Sequence, residues 1–174
     1  MSNTVNRITN ANIYDSGNSL CGKAEEVTLP GIKSIFNDHK ALGMMVAIEL
    51  PSGIDKMTGK IKWNAIYPDV ITKYASPYNT VQLQVRSSLE TYDSSGRIAQ
   101  KPVVAFITVR FKDALSAIVL KQNDNPEIES EFSCTYMRLE VDGVKLVEID
   151  AMSNIYFVNG VDQMAEYSSN LGLD

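Results

Sequence analysis

His39 is the sole histidine of the 174 residues, so any Ser-His-Asp chemistry would have to run through it. It stands in "FNDHKALG", with no cysteine beside it and no His-x-x-x-His spacing. Neither a metal set nor a Ser-His-Asp arrangement is spelled out, and His39 reads as a solvated turn or contact residue. Glu140, Glu148 and Asp150 come nearest to the paired carboxylates of glycoside hydrolysis. Yet Glu140 falls opposite Lys145 in a strand pair, and hairpin carboxylates are ordinarily surface charges. "GNSLCGKAEE" lacks phosphate-loop spacing. Cys21 and Cys134 form no CxxC; in a reducing compartment they read as free thiols, with a mutual disulfide left open. Trp63 and the tyrosines are scattered through strand-like segments as core or interface residues rather than a base-stacking platform. The pair in "GMMVAIEL" suits adaptable packing better than a cofactor. The sequence therefore offers no catalytic residue, no cofactor site and no metal site, which points away from an enzyme.

The elements that would carry such residues are mostly strands. In "LEVDGVKLVEID", residues 139–150, Asp142-Gly143 suits a two-residue type I′ turn, where both central residues need positive φ. That register sets Val141 opposite Val144, Glu140 opposite Lys145 and Leu139 opposite Leu146. One face is apolar near the turn; the other begins with the Glu140–Lys145 pair but lower down carries Tyr136, Val147 and Ile149. A sheet with a solvated face should alternate cleanly, so this hairpin wants cover on both sides. The preceding strand also slips phase. Phe132, Cys134 and Tyr136 are apolar on even numbers, Met137, Leu139 and Val141 on odd ones. A β-bulge near Tyr136 or burial of both faces would account for it.

Upstream, residues 11–14 read as a short strand before the turn-rich "DSGNS". "KAEEVTLPGIKSIFN" is extended, with Pro30 at an edge or bulge. "MMVAIEL" is strand-like, and "PSGIDKMTGK" is expected to be a loop. "KIKWNAI" alternates Ile61, Trp63 and Ala65 against Lys62 and Asn64. "YPDVITKYASP" predicts a helix: Pro68 and Asp69 suit its first turn, Val70, Ile71 and Tyr74 make one apolar side, and Ser76-Pro77 stops it. A long hairpin follows. Val81, Leu83, Val85 and Leu89 share one face of its first strand; Val103, Ala105, Ile107, Val109 and Phe111 share one face of its second, with "DSSGRIAQ" as turn and short loop. "LKQNDNPEIE" is a polar loop. After a last strand in "AMSNIYFV", Asn159 is expected to cap a short helix that Asn170 and Gly172 end. The fold class is mainly β, an antiparallel β-sandwich or partly open barrel with one or two short α-helices. Residues 1–174 read as one domain.

Hydrophobic content of 44% and charged content of 21% are ordinary globular values. No apolar run approaches the roughly 18 residues of a membrane helix, and the start has no apolar signal region; a soluble cytoplasmic product is expected. The net charge of −5 is unevenly spread. Residues 1–112 carry 13 Lys and Arg against 9 Asp and Glu, a net of +4, while residues 113–174 carry 3 against 12, a net of −9. That asymmetry is compatible with head-to-tail self-association, and also with solvated faces that differ in sign. A protein that grips DNA tightly would be basic overall.

"CTYMRLEVDGVKLVEID" followed by "VNGVDQMAEYSSNLGL" resembles the C-terminal part of the major tail tube protein of contractile-tailed bacteriophages, a family shared with R-type pyocins. Tyr136, Leu139, Asp142-Gly143, Glu148-Ile149-Asp150, Asn159-Gly160-Val161-Asp162 and Leu171-Gly172-Leu173 match in order, as do "VTLP" at 27–30 and Gly43-Met44. The likeness is strong over 133–173 and weak over 60–125. It implies a small β-sandwich-like subunit that forms hexameric rings, stacked into a hollow tube inside a contractile sheath. In that family the subunit sheets join edge to edge into an inner barrel, and a loop reaches the adjacent ring. The implied partners are further copies of the chain, the sheath protein, the tape measure protein, and the baseplate initiator and tail terminator, with DNA passing transiently. The implied location is the virion tail, after synthesis and assembly in the host cytoplasm. A DNA-free injection particle or bacteriocin tube is the alternative; a free β-sandwich binding module is a more distant one.

This reading assigns surfaces. The polar connection over 36–60, longer than hairpin norms, is expected to be the ring-to-ring loop, with Phe36, His39, Lys40, Met44, Pro51, Ile54, Lys56 and Met57 in contact. Residues 159–174 would form the C-terminal helix and tail. Two sets could face the lumen, where DNA requires a neutral or acidic wall: Gln82, Gln84, Arg86 and Ser88, and Glu127, Glu129 and Glu131 at strand spacing. Tyr136, Arg138, Val147 and Ile149, on the hairpin's second side, would meet a neighbouring subunit.

Overall fold

A computed structural model describes residues 3–113, 115–120, 122 and 124–173. In chain order the elements are β1 (Val5–Asp15), β2 (Asn18–Ser19), β3 (Ala24–Thr28), β4 (Ser34–His39), β5 (Ile48–Ile54), β6 (Met57–Trp63), α1 (Pro68–Tyr74), β7 (Val81–Asp93) and β8 (Gly96–Asp113). They continue with β9 (Ile128–Val141), β10 (Val144–Asp150), β11 (Ile155–Val158), β12 (Val161–Asp162) and α2 (Ala165–Asn170). The described residues are mainly β with two short helices. One antiparallel sheet runs β12-β11-β10-β9-β8-β7-β1-β2, with β6 also on β9 and β3 on β6; β4 and β5 pair only with each other.

The branch in this sheet explains the phase slip. Residues 128–134 of β9 pair with β6, and residues 136–141 pair with β10 on the same edge. Between them Thr135 is extra: Val109 pairs with Cys134 but Thr108 with Tyr136. One inserted residue turns the strand over. Ile128, Phe132 and Cys134 are buried before the bulge, and Met137 after it. The expected irregularity near Tyr136 is present.

The hairpin's two-sided appearance has a related cause. Its turn forms as expected, with Asp142 at φ 55° and Gly143 at φ 76°, and Glu140 pairs with Lys145. Leu139 does not pair with Leu146, however; a second bulge there sets it against Val147. Val147 and Ile149 thereby rejoin Leu139 and Met137 on the core face. The supposed second apolar face was the first one, displaced by a residue.

The sheet folds around one continuous core, and α1 closes it. Val70 and Tyr74 point inward. The Tyr74 ring stacks on Phe111 at 4.0 Å, and its hydroxyl donates to Asp15 at 3.0 Å. Lys73 pairs with the same carboxylate at 2.6 Å. Asp15 is only 6% exposed, so these two partners satisfy a charge that would be costly alone. Trp63 Nε1 donates to Ser130 at 2.9 Å, both buried. Beneath this layer Gly59 passes so close to Phe132 that a Cβ would lie 2.6 Å from the ring and 2.4 Å from the Thr28 carbonyl oxygen.

Several expected boundaries move. β1 starts at Val5 rather than Ala11. β7 and β8 continue to a tight turn at Ser94-Ser95, consuming the expected short loop. The connection over 36–60 contains a loop at residues 40–47 and otherwise consists mainly of β4, β5 and the start of β6. Asn159 is not a helix cap: Asn159 and Gly160, at φ 49° and 79°, form a second two-residue turn, pairing Val158 with Val161. The helix begins only at Ala165. It ends as expected near Gly172, whose φ of 66° accompanies bonds from Gly172 N to Ser169 O and Leu173 N to Ser168 O, a Schellman closure.

Candidate functional site

The β4–β5 hairpin projects from the core. Its base is tied by Asp55 N donating to the Lys33 carbonyl at 2.8 Å. Pro51 is tolerated because both strands of a two-stranded ribbon have an open edge. Every residue of β4 is exposed, as are the first six of β5. Phe36, His39, Lys40, Met44 and Pro51 all lie on this exposed arm. Leu42 and Met45 at the tip are fully exposed, and Val46 is 72% exposed. An isolated two-stranded hairpin is marginal in water, and apolar tips mark association surfaces.

The other expected contact residues divide. Ile54 is partly buried against the core at the hairpin's root, and Lys56 is exposed. Met57 is a correction: 4% exposed, it pairs with Cys134 inside the core, because β6 begins there. Val147 and Ile149 are likewise core residues, brought there by the Leu146 bulge. Leu42, Met45 and Val46 are hard to recognise as exposed because "ALGMMVAI" looks like a buried strand; its flanking polar residues and Gly43 are the available signal.

Tyr136 and Arg138 stay outside. Arg138 lies over the Phe106 ring at 4.4 Å and pairs with Glu140 at 2.9 Å. The Tyr136 hydroxyl donates to Glu148 at 2.7 Å. Partial burial, reinforced by that carboxylate, pushes the Tyr136 phenol up to about 12. Glu148 is held below the usual carboxylate range, chiefly by its hydrogen bond from Lys145. Tyr14, Gln84, Phe106, Thr108, Tyr136 and Arg138 line an open recess of about 370 Å³ on this outer face.

The strand residues of the two sets expected at the lumen share that face. In β7, Val81, Leu83 and Val85 are buried while Gln82 and Arg86 point away; Gln82 pairs with Thr108, which pairs with Tyr136. Gln84 lines the recess, and Ser88, farther along, accepts a hydrogen bond from Gln100 at 2.8 Å. In β9, Glu129 and Glu131 alternate with buried Ile128, Ser130 and Phe132. They are not bare charges. Glu129 pairs with Lys60 at 3.0 Å and Glu131 with Lys112 at 2.9 Å, and Lys112 lowers the Glu131 pKa. Glu127 precedes the strand, in an isolated bridge with Val119.

Two further surfaces are open. β1 pairs with β2 only at Tyr14 and Asp15, leaving residues 5–12 with one free edge among the described residues. At the sheet's other end, α2 buries no residue, and Val161, Tyr167, Leu171 and Leu173 are all more than half exposed. Cys21 is exposed, Cys134 is buried, and both are free thiols; burial raises Cys134 to about 11. Among the described residues no group of three or more His, Cys, Asp or Glu could hold a metal. No described helix is long and apolar enough to cross a membrane.

A mainly β chain that leaves a sheet edge, an apolar-tipped arm and a C-terminal helix uncovered is built to associate. The family model of the phage tail tube protein FII matches residues 5–172, and the chain belongs to that family. It is also similar to the tail tube protein of Escherichia phage P2, with 29% identity over 166 residues, covering 93% of this chain and 94% of that protein. The chain is thus a structural protein of the virion tail, in a family whose role is assembly with other tail components.

Proposed function

We propose that copies of this chain close into hexameric rings that stack into the inner tube of a contractile tail, the conduit through which DNA is ejected. The observation that carries this reading is the β4–β5 arm: an exposed ribbon with an apolar tip, tied at its base to an otherwise well-packed core. A free monomer gains nothing from such an arm, whereas a stacked ring gives it a partner. The free edge of β1 and the short strands β11 and β12 at the far end of the sheet support lateral closure, because a ring pairs every edge that a monomer leaves open. On this reading residues 1–174 act as one tube domain. Phe36, His39, Lys40, Met44 and Pro51 contact the adjacent ring, and the outer face of β7, β8 and β9 borders the lumen. The sheath protein surrounds the tube, the tape measure protein occupies it during assembly, and baseplate initiator and tail terminator cap its ends. Assembly takes place in the host cytoplasm.

Electron microscopy of the purified protein, with and without a tube initiator, tests this. Six-fold rings or hollow tubes are expected. A protein that stays monomeric at high concentration under both conditions would refute the proposal.

A further inference from the structure

We infer that the hairpin tip of one copy, residues 39–48, seats on the β12–α2 surface of a second copy. This rests on the ring-and-tube reading and names the two surfaces that would meet within it. An open stack requires a heterologous contact, in which two different patches of one chain fit each other. Among the apolar surfaces that the described residues leave uncovered, two lie on projecting elements at different ends of the chain. One is the tip, with Leu42, Met45 and Val46. The other is the C-terminal element, with Val161, Tyr167, Leu171 and Leu173.

The tip carries a cation and the C-terminal element carries anions. Residues 39–48 contain Lys40 and no carboxylate, while Asp38 and Glu49 pair across the ribbon just below the tip. The C-terminal element contains Asp162 and Glu166, and the sequence has no Lys or Arg after Lys145. Asp162 is fixed by accepting from Met164 N at 2.8 Å, and Glu166 sits in the first turn of α2. An apolar centre with opposite charges at its rim is the pattern of a specific interface, where the rim sets orientation and rate. Both elements are also of kinds that are weak alone: a two-stranded ribbon and a helix far shorter than isolated helices need to be. Mutual contact gives each the burial it lacks.

The test is cysteine cross-linking in assembled tubes. Cys21, being exposed, is replaced by Ser, and Met45→Cys and Leu171→Cys are introduced together and singly. After mild oxidation the double variant should give a ladder of covalent multimers on a non-reducing gel, and each single variant should stay monomeric. Tubes that form normally without a ladder overturn the pairing and leave the tube reading intact; equally strong dimers from a single variant do the same. A wild-type protein that forms neither rings nor tubes removes both. A second measurement avoids the cysteines. Lys40→Glu and Glu166→Lys should each lower tube yield several-fold at low salt, and the double exchange should restore it. A double exchange no better than either single change would also reject the pairing.

Discussion

Gly59 has no room for a side chain, and the sequence could not reveal this. It stands in "KMTGK", which reads as a loop because Pro51 and Gly53 lie just upstream. The Thr28 oxygen and the Phe132 ring would both clash with a Cβ. Gly59→Ala should therefore destabilise the unassembled chain by about 1–3 kcal/mol, the usual cost of overpacking, read as a lower urea midpoint. Glu90 shows the same limit. Alternation places it on a polar face, yet it is 6% exposed, held by the Tyr92 hydroxyl and Arg97, both at 2.6 Å. The Tyr92 bond first, and Arg97 second, lower its pKa. Its contribution is thus present above the unfolded-state value and fades as pH falls through the folded one. Glu90→Gln should lower Tm near neutrality and narrow the gap to wild type in acid; a constant gap would deny that the charge matters. Other residues were legible. Cys21 and Cys134 read as free thiols from their spacing, and both are free in the structure. Iodoacetamide should modify Cys21 in the native protein and Cys134 only after unfolding, because burial hides that thiol and raises its pKa to about 11. An unreduced peptide joining the two would contradict this.

Secondary elements were legible where local chemistry and burial agreed. Pro68, Asp69 and the spacing of Val70 and Tyr74 specify α1, and the structure returns it as Pro68–Tyr74. Asp142-Gly143 specifies its turn. The hairpin β4–β5 is not legible as a hairpin because neither strand has a core face, so there is no period-2 signal to read. Asn159-Gly160 is a strong hairpin signature, but Asp162 at capping-box spacing makes Asn159 look equally like a helix cap. The Leu146 bulge left no sequence signal beyond the misplaced Val147 and Ile149. These boundaries decide how the arm can be removed. Deleting residues 51–59 would take Met57 and Gly59 out of β6 and open the core. Replacing residues 36–52 with Asn-Gly instead joins Ile35 to Gly53, which already pair, through a favoured two-residue turn. The shortened chain should keep its circular dichroism spectrum and a Tm within a few degrees of the parent, yet fail to extend tubes. Normal tubes from this variant would take the ring-to-ring role away from β4–β5.

At the scale of the whole molecule, the uneven charge becomes a question of which face meets DNA. The acidic C-terminal part is less exposed as bare charge than the sequence implies. Lys60 and Lys112, from the basic part, neutralise Glu129 and Glu131 across β6–β9 and β8–β9. The outer face of the sheet therefore combines neutral Gln82, Gln84, Thr108 and Ser133 with ion pairs and with Arg86 and Arg110, rather than a row of unpaired carboxylates. For a conduit the number of cations on the wall is the quantity that matters. Phosphate attraction accumulates with every cation a duplex meets, and each stacked ring would repeat it. Gln82→Lys together with Gln84→Lys tests the assignment without disturbing those ion pairs or the core, since both side chains sit on the face opposite Leu83. Tubes should still form. Ejection timed in low salt should slow relative to the parent particle and recover as salt is raised, because counterions compete for the same phosphates. If the double Lys particle ejects at the parental rate in low salt, β7 does not border the DNA path, and the lumen must be lined by another face.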